Sequence, residues 1–538
     1  MAPMKRALGI LAAIIACTVA LGAVAGAAQA RAIGAFTTKG AWSFWSAPGL
    51  HPPKATADKP VFARQLATSG YFMAANFYNL NSPTPMVGQS GPFIFDNKLQ
   101  PVWFHPVPTN VVANNLQVQR YQGRPVLAWW QGVVNNVGAT VSGAYVIVDQ
   151  HYKPVATLTG QGGWVLSLHD FQISGHVAWV SAYKNIPMNL TPYGGPANGV
   201  LVDFAVQEYD LTTGRLLGTW DALHHVPPSQ SKQSANVVVS GKAIPWDAYH
   251  GNSIQLVGSN KFLISLRNTW AAYLVDVNPS NLDASSTEWT LSGNQKISTF
   301  SLPTKASFHW QHDVRLGSNN VVSVFDDACC AITGSKKFGP ASAASRGLVL
   351  RLNTSNHTGS LVAQYPRARN FEVFFLGSTQ VLGGGNVLVG WGSTPFFSEF
   401  SKAGKTLLDV RWPGPDVTYR VLRQKWVGTP SYPPNGAVRK QTGKTTVYAS
   451  WNGATLVAAW RVLAGSSQTR LSTVVSRAGK SGFETPISVP GNHTWFEVQA
   501  LGSRGEIIGT SKPFNSGTRP SSSGSSGTSS TPPLVGGY

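Results

Sequence analysis

One unit, repeated along the chain, limits the fold more than any other feature. Its clearest copy is FHWQHDVRLGSNNVVSVFDD, from Phe308 to Asp327. His312 opens one strand, Gly317–Asn320 supply the turn, and Val321–Phe325 is an apolar, β-branched return strand. LHDFQISGHVAWVSAY repeats the layout with His169 in first place, and YHGNSIQLVGSNKFLISLR repeats it with His250. A weaker copy, STQVLGGGNVLVGWG, starts at Ser378. Each histidine is followed four positions later by an apolar residue (Ile173, Ile254, Leu316). One histidine at a strand end is ordinarily structural. Three in matched places of a repeated unit are expected to converge, because a repeat architecture brings equivalent positions together.

The remaining text agrees with an all-β chain. Of the 538 residues only 12% are charged, while Gly numbers 55 and Trp 18, and no amphipathic helix of three turns stands out. PFIFDNKLQPVWFHPV, AYVIVDQHYKPVATLTG, VQEYDLTTGRLLGTW and FSEFSKAGKTLLDVRW each read as strand, polar turn, strand. The repeat copies are spaced roughly 60–80 residues apart, which suits four strands plus loops. Residues 61–430 are therefore expected to form a six-bladed β-propeller, with two packed sandwiches as the weaker alternative.

Around that region the composition changes. Residues 1–30 read as a signal peptide: Lys5 and Arg6, an apolar run, then Ala28-Gln29-Ala30 as an A-x-A cleavage site, with a retained membrane anchor as the alternative. A secreted or cell-surface location follows. Residues 31–60 are a Pro/Gly/Trp-rich lead-in expected to pack along the next domain. Val427–Gly443 reads as a linker, and residues 431–515 carry short alternating strands that suggest an immunoglobulin- or fibronectin-III-like β-sandwich. Residues 516–538 form a Ser/Gly/Thr/Pro-rich tail expected to be disordered. Once a signal is removed, Cys329 and Cys330 are the remaining cysteines, adjacent and outside any C-x-x-C pattern, so they read as structural or weakly redox-sensitive. The net charge of +20 is spread rather than blocked, which argues against a nucleic-acid module and allows a field that attracts anions.

At HGNSI, SLR, WQHDVRL, VSVFDD, SRGLVLRL and GGNVLVGWG the chain resembles the bacterial arylsulfotransferases, in their secreted branch, from about Gly70 to Pro430. The resemblance implies a six-bladed propeller that moves a sulfuryl group from an aryl sulfate to a phenol, without a nucleotide donor or other cofactor, through a sulfated histidine. Carried over motif by motif, His312 looks like the nucleophile, and His250, Arg267, His169 and Asn252 look like the sulfate-holding set. Two departures stand out. The extra β-domain here is C-terminal rather than N-terminal, and the flanks of His312 differ. The implied partners are a small aryl sulfate and a phenolic acceptor, with no stable membrane insertion after signal removal. Association with the cell surface stays open.

The residues make chemical sense without the family. Sulfuryl transfer, like phosphoryl transfer, puts charge on peripheral oxygens and needs fixed positive charge. Arg267 offers a planar fork that cannot deprotonate. A neutral imidazole is a competent nucleophile, and a second can protonate a departing phenolate. Other readings remain. Three histidines could hold zinc, although Arg267 opposes a metal ion. Asp170 and Asp313 are expected to face away from the histidines and brace the blades, with Arg315 and Arg346 as surface or bracing cations. Trp129, Trp130, Trp246, Trp270 and Trp391 either stack on an aromatic acceptor or fill gaps. The alternatives in function are a non-catalytic surface propeller that binds polysaccharide or protein, and a hydrolase or lyase on the same scaffold.

Overall fold

The computed structural model describes residues 36–57, 66, 70–78, 84–134, 140–239, 242–328, 344–369 and 371–517. The signal peptide read at 1–30, the Cys329–Cys330 pair and the tail beyond residue 517 lie outside them. The described chain is all-β. Its one α-helix is a single turn, Ala222–His225, and no described helix is long and apolar enough to cross a membrane.

Six antiparallel sheets account for residues 71–424. β1 (Tyr71–Tyr78), β2 (Gly91–Phe95) and β3 (Pro101–Phe104) pair in order. The second sheet is β4 (Val112–Tyr121), β5 (Arg124–Val134), β6 (Thr140–Val148) and β7 (Pro154–Thr159). The third is β8 (Val165–Ser174), β9 (Val177–Met188), β10 (Gly199–Asp210) and β11 (Leu216–Asp221). The fourth is β12 (Gly251–Val257), β13 (Lys261–Leu266), β14 (Ala271–Asp276) and β15 (Ser286–Ser292). The fifth is β16 (His312–Leu316), β17 (Val321–Asp326), β18 (Arg346–Asn353) and β19 (Thr358–Pro366). The sixth is β20 (Ser378–Val381), β21 (Val387–Gly390), β22 (Phe396–Phe400) and β23 (Thr406–Arg411). Finally β24 (Asp416–Gln424) pairs with β1 and completes the first sheet. All four copies of the repeated unit are hairpins, and all four open their sheets.

The opening strands of successive sheets touch in turn: β4 to β8, β8 to β12, β12 to β16, β16 to β20, β20 to β24, and β24 back to β4. Each is an edge strand whose free N–H and C=O groups need partners. Glutamine side chains supply them. Gln255 bonds both the N–H (2.6 Å) and the C=O (2.8 Å) of Leu316, and Gln380 does the same to Arg423 (2.7 and 3.1 Å). Gln424 bonds Val118 in the same way, which ties the last opening strand to the first. Between β8 and β12, Asp170 accepts the Ile254 N–H while Arg315 donates to the Ile254 carbonyl. The expectation that Asp170, Asp313 and Arg315 brace the sheets agrees with these contacts, but the geometric reason differs. The register slips between Leu166 and Phe171 and between His312 and Arg315, and Asp313 adopts φ 53°. These bulges break the strict alternation of faces. Asp170 and Asp313 thereby share buried Arg420 (3.0 Å each) and partly exposed Arg315 (2.7 Å each) in a four-charge cluster.

After β24 come two further sheets. One is β25 (Asn435–Gln441), β26 (Lys444–Ser450) and β29 (Glu484–Val489); the other is β28 (Arg470–Gly479), β27 (Ala459–Ser467), β30 (Trp495–Leu501) and β31 (Ile507–Thr510). Val447, Ile487, Trp460, Val462 and Phe496 form the core between them. The linker reading of Val427–Gly443 is corrected here, because Asn435–Gln441 is a strand in full register with β26. Pro433 and Pro434 end the irregular stretch, and Ala437 then turns inward. The lead-in does more than pack along one neighbour. Phe44, Ala47 and Leu50 share a core with Phe72, Trp412 and Phe483, and Ser46 bonds the Glu484 carboxylate.

A test of the packing comes from Asp416 at the start of β24. It is fully buried and accepts from Val87 N–H (3.0 Å) and Asn76 Nδ2 (3.4 Å). Burial pushes its carboxyl up to about 8 from an ordinary 3.8. The folded protein therefore holds a proton there that the unfolded chain releases. That contribution is full below the unfolded value and is lost as pH rises to about 8. Asp416→Asn is expected to gain stability over the parent as pH rises through this window, by about a few kcal/mol. Denaturant midpoints at both ends of the window read it, and a difference that does not change with pH would contradict it.

Candidate functional site

The repeated hairpins bring the histidines together. His169 lies within β8, His312 is the first residue of β16, and His250 stands one residue before β12. Their places in the strands are thus similar, not identical. The His169 ring centroid is 5.2 Å from that of His250 and 6.3 Å from that of His312, and ring nitrogens of all three lie within 4.8 Å of one another. Arg267 follows β13 and returns beside His250, where its N–H bonds the His250 carbonyl at 3.1 Å. Gly251 suits this crossing, since a Cβ there would lie 2.3 Å from the Phe204 ring.

Each imidazole is held through Nδ1 by a different group. His250 Nδ1 is 2.5 Å from Asp247 Oδ2, and the backbone N–H of His250 bonds Asp247 Oδ1 at 3.0 Å. His312 Nδ1 is 2.6 Å from Asp327 Oδ2. His169 Nδ1 meets the Ser167 hydroxyl at 2.8 Å. His312 Nε2 accepts the Leu376 N–H at 3.2 Å. Tyr419 lies edge-on to His169 and His312, and its hydroxyl donates to the Asn252 carbonyl.

Arg267 is buried against the Trp310 ring, 5.0 Å from guanidinium carbon to centroid. Its Nη2 donates to the Phe374 carbonyl at 2.9 Å, and its Nε, 3.8 Å from Asp327 Oδ2, makes no hydrogen bond among the described residues. Asn252 Nδ2 donates to the Gln311 carbonyl at 2.7 Å, and among the described residues its Oδ1 is buried without a hydrogen-bond partner.

Burial, then His250, Arg420 and Arg267, hold His169 well below the usual histidine range. Burial, then Arg267 and the other two histidines, do the same to His312. Both rings are neutral near pH 7 and keep a lone pair. Burial raises the Asp327 carboxyl strongly, opposed by Arg267. By spacing alone the three histidines could hold a metal ion. The field from Arg267 and Arg420 opposes a cation and favours an anion.

The sequence reading missed Asp247, Asp327, Ser167, Tyr419 and Arg420. Asp247 carried a signal, an Asp three residues before a key histidine. Asp327 ends the VSVFDD motif, where nothing in the local sequence marks it as a partner of His312. Of the five tryptophans, Trp129, Trp130, Trp246 and Trp391 are buried within sheet cores. Trp270 stands beside the site, edge-on to His309 and Trp310, with Lys232 Nζ 5.7 Å from its ring.

A family model described as Arylsulfotransferase (ASST) matches residues 117–412, which include His169, His250, Asn252, Arg267 and His312. The chain belongs to the arylsulfotransferase family, and its function is of the arylsulfotransferase type, with small aryl compounds as substrates. No curated protein matches it. Among solved structures, a periplasmic gluconolactonase of Pseudomonas aeruginosa is 11% identical, with a TM-score of 0.38, covering 66% of this chain and 99% of its own. A protein of unknown function from Bacteroides caccae is 10% identical, with a TM-score of 0.36, covering 66% and 100%. The Dos1 propeller is 11% identical, with a TM-score of 0.25, covering 69% and 75%. These likenesses are too slight to say anything about activity.

Proposed function

We propose that this protein transfers a sulfuryl group from an aryl sulfate ester to a phenolic acceptor through a sulfated His312, at one end of a closed six-bladed propeller. The observation that carries the reading is the buried meeting of three histidines with Arg267 in a field that favours an anion. Neutral His312 attacks sulfur through Nε2, exchanging its Leu376 N–H contact for the N–S bond. The S–O bond to the aryl group breaks, and the oxide takes a proton from His250. Arg267 bears on the charge that develops on the peripheral oxygens. A phenol then gives its proton to His250 and takes the sulfuryl group, which restores His312. The cycle of opening-strand contacts and the Gln424–Val118 bonds support ring closure. The orders β25–β26–β29 and β28–β27–β30–β31 support a fibronectin-III-type sandwich for residues 431–515. Export and a cell-surface setting belong to the same proposal, on the N-terminal sequence pattern.

The experiment is intact-mass measurement of the full chain after exposure to an aryl sulfate without acceptor. One added sulfuryl mass that disappears when phenol is supplied, with sulfate ester recovered in the phenol, is the expected result. Free sulfate in solution would point to a hydrolase. An unchanged mass with no phenol released would favour the non-catalytic binder.

A further inference from the structure

The three histidines differ most in what stands behind them, and that difference assigns a task. Behind His169 are hydroxyls, Ser167 at 2.8 Å and Tyr183 at 3.4 Å, which cannot offset a positive ring. Behind His312 is Asp327, whose Oδ2 also lies 3.8 Å from Arg267 Nε. Behind His250 is Asp247, and among the described residues no other side-chain cation pairs with that carboxylate. The pair is held rigidly. Asp247 Oδ1 takes the His250 backbone N–H, Asn268 Nδ2 donates to the Asp247 carbonyl at 2.6 Å, and Asp247 sits in a short strand paired with Leu201–Val202 of β10. His250 is also the most accessible of the three rings, being half-buried where His169 and His312 are buried.

We propose that Asp247 is a positioning residue that makes His250 the proton carrier of the transfer, an inference that rests on the sulfotransferase reading above. With Nδ1–H held by the Asp247 carboxylate, His250 can bear a second proton on Nε2 and give it up there. In the first half-reaction the S–O electron pair goes to the aryl oxide, the Nε2 proton of His250 follows it, and the phenol leaves. In the second, the acceptor O–H proton returns to Nε2 as its oxygen bonds sulfur and the N–S pair returns to His312. The protons balance over one cycle, and none moves to or from Asp247. Its contribution is therefore large only where the leaving oxide needs a proton.

That condition sets the test, done with the full chain and a series of aryl sulfates from 4-nitrophenyl to 4-methoxyphenyl. Asp247→Asn keeps an oxygen for the His250 N–H but loses the charge behind the ring. Phenol release from 4-nitrophenyl sulfate, whose leaving group needs little help, is expected to fall less than ~10-fold, and release from 4-methoxyphenyl sulfate ~10²-fold or more. His250→Gln is expected to reproduce the same leaving-group dependence, and it carries the test if Asp247→Asn does not fold. Equal losses across the series, or none, in the variant that folds would overturn the proposal. Parent protein that releases no phenol from any ester would instead remove the sulfotransferase reading beneath it.

Discussion

His312→Ala is expected to abolish turnover and the sulfated form together. The imidazole nitrogen is the atom that bonds sulfur, so its loss removes one of two half-reactions rather than weakening a contact. The side chain is fully buried and its Nδ1 is occupied by Asp327, so Nε2 is the only ring nitrogen left to react. The same substitution leaves the Asp327 carboxyl without its imidazole, so folding should be checked by thermal unfolding before activity is read. Intact mass after aryl sulfate exposure is the decisive measurement. His312 Nε2 already accepts the Leu376 N–H, whereas His250 Nε2 has no such partner among the described contacts. A sulfuryl mass retained by His312→Ala and lost from His250→Ala would therefore move the nucleophile to His250.

Arg267→Lys is expected to keep the sulfated histidine while slowing its formation and discharge by ~10²–10³. The guanidinium is fixed on three sides, by the Phe374 carbonyl, Asn268 Oδ1 and the Trp310 face. Its position costs nothing to organise when charge moves onto the sulfuryl oxygens. Lysine keeps a charge but loses the plane and the fork, so it cannot hold these contacts and face an anion at once. The effect should fall mainly on rate constants measured in single turnovers. A Lys variant with parental rates would show that Arg267 serves the fold around Asp327 rather than the transfer.

The pattern of strands and turns in the sequence contained the hairpins, and with them the approximate places of His169, His250, Arg267 and His312. The return of Arg267 beside His250 was legible because a strand, a tight turn and an antiparallel strand bring the chain back to its start. The carboxylates were not legible. Asp327 reaches His312 across a hairpin, and Arg267, whose Nε lies 3.8 Å from it, comes from the preceding sheet. Tyr419 and Arg420 come from the strand that pairs with β1, more than a hundred residues after His312. The prolines before Asn435–Gln441 give it the look of a linker, and only its register against β26 makes it a strand.

Local physics, then, determined the all-β class. Period-two apolar alternation and Asn, Asp and Gly turns specify hairpins without knowledge of what surrounds them. Tertiary structure decided which face each bulged residue takes, which carboxylate stands behind which histidine, and how the opening strands are stitched by glutamines. Those outcomes depend on register slips and on partners from distant sheets. A slip of one residue moves a side chain to the opposite face, and nothing in a local window records it.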